Sequence, residues 1–129
     1  MIGIWRAYSD VYLIILGVVM LVAFGLPLTF VPLRWARLFR WEVPESTSLV
    51  TFLGRSLGVF ISIMAIIAII VTRTPSAIPY FFDLLLWVLG GMLLLHLYGA
   101  ISKSQPITET LEIVMWVVLS LVTLGFYPS

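Results

Sequence analysis

Apolar residues run almost unbroken from Val11 to Phe30, Leu49 to Val71, Tyr80 to Ile101 and Ile107 to Phe126, and prolines, hydroxyl residues or charges bound each run. An α-helix rises about 1.5 Å per residue, so about twenty such residues cross the hydrocarbon core of a bilayer. The pattern predicts an all-α integral membrane four-helix bundle, a single transmembrane domain over residues 1–129 with spans near 11–30, 49–71, 80–101 and 107–126. The first run is too long for a signal-peptide core, and no small-residue cleavage site precedes Arg34, so it is expected to be a retained span. Pro27 and Pro32 remove backbone donors and restrict the residues before them, which predicts a kink or an end to that helix. Ser46, Thr47 and Ser48 offer caps for the second span. Pro106 and Glu109 suit the first turn of the fourth.

Between the first two spans the pattern changes. From Leu33 to Trp41, at about 100° per residue, Arg34, Arg37 and Arg40 fall on one arc and Trp35, Leu38 and Phe39 on another. That separation predicts a short interfacial amphipathic helix. Its arginines face lipid phosphates while its aromatic side enters the headgroup boundary. Arg34, Arg37, Arg40, Trp35 and Trp41 are therefore candidate anionic-lipid contacts. The basic residues are also unevenly distributed. Arg34, Arg37, Arg40, Arg55 and Lys103 fall on one side of the expected topology, with Arg6 and Arg73 on the other. The positive-inside rule then puts the two basic loops in the cytoplasm and both termini outside, in a membrane read as the prokaryotic cytoplasmic one.

Composition agrees with this and removes several function classes. The chain is 62% apolar and 10% charged, far from the soluble balance. A net charge of +1 with no broad basic face argues against nucleic acid as a partner. Without cysteine there is no disulfide, thiolate metal site or thiol nucleophile, and His96 as the single histidine excludes a multi-histidine site within one chain. Neither a metal nor a cofactor is expected. The chain also lacks a HExxH zinc motif, a GxSxG elbow and a phosphate-binding glycine loop, so the expectation is non-enzymatic.

What remains is a small set of ionisable residues in apolar surroundings, which are functional candidates by default. Arg55 shares a wheel face with Thr51, Gly58, Ser62 and Ala65, so it is expected to turn inward. His96 and Glu112 each lie about 8 Å inside a span end at the standard rise, on the same expected side as Arg55. A carboxylate opposite a guanidinium stays ionised as a bidentate pair, which predicts Arg55 paired with Glu112 and His96 nearby. Glu109 lies on the same helix face as Glu112, nearer water. The candidate intramembrane polar cluster is thus Arg55, His96, Glu109 and Glu112. Asp83 is expected in an outer-face ion pair with Arg73 or Arg6. Gly54-xxx-Gly58-xxx-Ser62 and Gly90-Gly91 permit close helix approach.

These features describe a small multi-pass membrane protein acting as a non-enzymatic accessory or scaffold subunit that binds lipid or a small amphiphile. The alternative is a small transporter or proton-coupled carrier using the polar cluster, and third comes a membrane enzyme acting on a lipid or quinone-like substrate. Expected partners are membrane lipids and either further copies of the chain or a larger membrane complex.

Overall fold

The computed structural model describes residues 1–129, which form helices and no strand. In chain order they are α1 (Ser9–Met20), a π-helical turn (Leu21–Gly25), α2 (Leu26–Phe30), α3 (Pro32–Leu38), α4 (Ser48–Val71), α5 (Ile78–Ile101) and α6 (Ile107–Phe126). Four helical stretches, Arg6–Phe30, Ser48–Val71, Pro75–Ile101 and Ile107–Phe126, are long and apolar enough to cross a membrane. Only 17% of the apolar window in each of the last three is buried within the chain. Side chains as large as Trp87 and Ile101 are 82% exposed. In water such a surface would be strongly unfavourable, whereas hydrocarbon matches it.

The chain forms two compact units, Leu13–Ile70 and Met1–Tyr12 with Val71–Ser129. In the first, the consequences of the prolines are visible. Pro27 follows the π turn, where the ladder widens and Leu26 N–H reaches Leu21 O. The helix continues past it to Phe30 and stops at Val31 (φ −134°, ψ 52°), the residue before Pro32, since a proline disfavours helical geometry in its predecessor. Small residues then let backbones meet. A Cβ on Gly17 would lie 2.7 Å from Ala65 O, one on Gly25 would lie 2.5 Å from Ser62 Oγ, and one on Gly58 would collide with Thr29. The Gly54-xxx-Gly58-xxx-Ser62 row is thus a packing surface within the chain. Gly90 and Gly91 differ from expectation, because nothing lies within 4 Å of a Cβ placed on either.

The Leu33–Trp41 segment is helical through Leu38 and then stops. Arg40 N–H bonds to Arg37 O, Trp41 N–H bonds to Ala36 O, and Arg40 has φ 62°. This is a Schellman stop with arginine in the left-handed position that usually takes glycine.

In the other unit, α5 packs along α6. Phe82, Leu89 and His96 on α5, and Glu109, Trp116 and Thr123 on α6, are buried at seven-residue intervals. Such spacing keeps one stripe of each helix on its partner. The two ends of the chain meet at the far end of this pair, where Gly3 N–H bonds to Leu124 O and Trp5 N–H to Gly125 O, both at 2.9 Å. Trp5 lies over Gly125, at which a Cβ would come within 2.7 Å of the indole. Tyr12 is bonded to Thr123 at 2.5 Å and stacks on Phe126.

Candidate functional site

A 24-residue α5 turns into α6 through Ser102–Pro106, and the way that loop folds back determines the site. Lys103 takes φ 53°, Lys103 N–H reaches Ala100 O and Ser104 N–H reaches Gly99 O, a second Schellman stop with a basic residue in the left-handed position. Gln105 then lies directly over Gly99, where any Cβ would collide with its amide. Its Nε2 donates to His96 O at 3.0 Å and to Thr110 Oγ1 at 3.2 Å, tying the end of α5 to the start of α6. His96 is thereby held against the first two turns of α6.

Three residues converge there. His96 Nε2 is 3.0 Å from Glu109 Oε2 and 3.5 Å from Glu112 Oε2. The side chains of His96, Glu109 and Glu112 are only 5%, 9% and 14% exposed. Both carboxylates reach the same imidazole because residues three apart on a helix share a face. The other ring nitrogen, Nδ1, lies 2.8 Å from Met92 O. A carbonyl only accepts, so Nδ1 carries hydrogen and donates. Nε2 therefore faces the carboxylates either as a lone pair or, in the imidazolium, as a second donor. Trp116 closes this side, its Nε1 3.3 Å from His96 Nε2 and its ring tilted against the imidazole at 5.4 Å.

The site differs from the sequence expectation in three ways. Glu109, expected nearer water as an outlying member, is the closer and more buried partner of His96. The antiparallel register of α5 against α6 sets His96 opposite the first turn of α6, one turn before Glu112. Arg55, expected to turn inward, is exposed on α4, although Gly58 and Ala65 of the same face are buried. A long cation two turns into an apolar helix can keep its head out of apolar packing by extending along the surface. Asp83 pairs with neither Arg73 nor Arg6. Its Oδ1 accepts from Tyr127 Oη at 2.6 Å, and Arg6 Nη1 donates to the main-chain oxygen of Ser129 at 3.0 Å. The Asp83 bond raises the Tyr127 pKa, with desolvation adding to it.

Trp116 and Gln105 complete the site and were not singled out from sequence. A signal was present for Trp116, which follows Glu112 by four residues and Glu109 by seven and so shares their face. Gln105 gave none, because its role depends on how the loop folds.

A second feature lies in the Leu13–Ile70 unit. An open groove of about 390 Å³ is lined by Ala23, Pro27, Val31, Trp35, Leu38 and Phe39, with Arg34 its one charged residue. Trp35 stacks on Phe39 with centroids 4.4 Å apart, and both meet Phe24. Arg34, Arg37 and Arg40 are exposed, Trp35 is half-buried and Trp41 is exposed.

Comparison of the chain with protein-family models, curated proteins and solved structures finds no match.

Proposed function

We propose that this is a small multi-pass membrane protein that holds an anionic lipid or similar amphiphile as a non-enzymatic accessory or scaffold subunit. The observation that carries the reading is the apolar groove with Arg34 in its lining, next to the exposed Arg37 and Arg40. An acyl chain suits the aromatic and aliphatic walls, and a phosphate suits the guanidinium groups. The basic residues of this segment support a cytoplasmic location for it and an external one for both termini. The large unburied apolar surface of the spans supports further copies or a partner subunit in the same membrane.

Quantifying lipid that co-purifies with the protein tests this. Replacing Arg34, Arg37 and Arg40 by glutamine is expected to lower retained anionic lipid while neutral lipid stays constant. Ala23→Trp, which fills the groove, is expected to lower both. Wild-type retention in both variants would defeat the reading. Single cysteines at Ser76 and Ser104 test the orientation, with Ser104 expected to label from the cytoplasmic side only.

The buried His96–Glu109–Glu112 set favours a second reading, a small cation carrier. Ion-dependent flux in liposomes that Glu112→Gln abolishes would support it, and unchanged flux would remove Glu112 from that role.

A further inference from the structure

We propose that His96, Glu109 and Glu112 bind one divalent transition-metal ion, with Zn²⁺ or Co²⁺ as the best-matched probes. This inference is independent of the lipid reading, since the groove belongs to the other unit.

The donors are spaced for one ion. The ligand atoms of all three residues lie within 4.8 Å of one another. A tetrahedral ion with bonds of about 2.0–2.2 Å separates its donors by roughly 3.3–3.5 Å. His96 Nε2 stands 3.0 Å and 3.5 Å from the two carboxylate oxygens, a few tenths of an ångström from that separation, and the carboxylates, within 4.8 Å of each other, draw together on metal entry.

The imidazole is already set for ligation. Ligating histidines typically donate their other ring hydrogen to a carbonyl or carboxylate, which fixes the tautomer and aims the remaining lone pair. Met92 O takes that hydrogen at 2.8 Å, and the remaining nitrogen points at two carboxylates. The Gln105 bridge from His96 O to Thr110 holds the two helices in register around it. Metal entry requires the Trp116 indole N–H, now 3.3 Å from Nε2, to release that lone pair.

The charge balance favours a divalent ion. One imidazolium neutralises a single carboxylate, whereas a divalent ion neutralises both, and net charge in low dielectric is costly. The mixed imidazole and carboxylate set suits ions such as Zn²⁺, Co²⁺, Fe²⁺ and Mn²⁺, while calcium needs six to eight oxygens. Three protein ligands leave one tetrahedral position for water or an incoming anion. One histidine with two glutamates is neither a thiolate nor a multi-histidine set, so the composition that excludes those leaves this one open.

The full chain, purified in detergent and stripped with a chelator, is titrated with Co²⁺ by visible absorption and with Zn²⁺ by equilibrium dialysis and elemental analysis. Saturation at one ion per chain is expected. Glu109→Gln and Glu112→Gln should each weaken binding at least tenfold, and Glu45→Gln, an exposed control, should leave it unchanged. Glu112→Asp keeps the charge but withdraws the oxygen by one methylene, and it should also weaken binding, which separates ligation from general electrostatics if a glutamine variant fails to fold. Stripped wild-type protein that binds neither ion saturably, or wild-type affinity in folded Glu112→Gln or Glu112→Asp, overturns the site.

Discussion

The indole N–H of Trp35 donates to the carbonyl oxygen of Ala23 at 3.3 Å, the acceptor that an α-helix would give to the amide of residue 27, where proline has none. Trp35→Phe keeps an aromatic ring to stack on Phe39 but loses that donor and part of the ring's contact area. A net loss of about 1 kcal/mol is expected, read as a lower midpoint in reversible unfolding. An unchanged midpoint would mean that the π turn satisfies Ala23 without help.

Gly58 and Gly90 both lie within long apolar helices and should respond oppositely to alanine. A Cβ at Gly58 meets the backbone and hydroxyl of Thr29, whereas one at Gly90 meets nothing within 4 Å. Gly58→Ala is expected to destabilise by about 1–3 kcal/mol through overpacking. Gly90→Ala should stabilise by up to about 1 kcal/mol through helix propensity. The same unfolding measurement on the two variants checks this, and equal effects would contradict the close approach at Gly58.

Arg40 and Lys103 hold left-handed conformations, at φ 62° and 53°, that cost a side-chain-bearing residue roughly 1–2 kcal/mol. Glycine at either position should recover about 1 kcal/mol, partly offset by the lost cation near a helix C-terminus. Higher thermal midpoints in both variants are expected. A decrease at Arg40 alone would mean that its charge outweighs the strain.

Tyr127 should make stability depend on pH in the alkaline range. Its hydroxyl donates to Asp83 and its pKa is raised, so the folded state favours the neutral phenol. That contribution is fully present below the unfolded pKa of about 10 and is lost as pH rises through the higher folded value. Wild type should therefore lose more stability than Tyr127→Phe between about pH 9 and 12. Parallel pH curves would show that the Asp83 bond adds nothing.

Sequence alone determined the local features. The length and purity of the apolar runs set the four helices long and apolar enough to cross a membrane. Pro32 set the stop after Phe30, the arginine and aromatic arcs set the helical α3, and the three-residue spacing put Glu109 and Glu112 on one face. Each follows from periodicity or backbone chemistry within a few residues. Tertiary structure decided what faces what. His96 meets Glu109 before Glu112 because of the register between α5 and α6, and that register depends on Gly99 admitting Gln105. Arg55 is exposed although the wheel sets it on the small-residue face, because a wheel records angle but not whether a long side chain fits between packed backbones. Asp83 found Tyr127, and Arg6 the main chain of Ser129, because the two ends of the chain come together at the last turn of α6. These pairings depend on how far each helix is rotated and slid against its neighbour, and small differences in side-chain volume at the contacts control both.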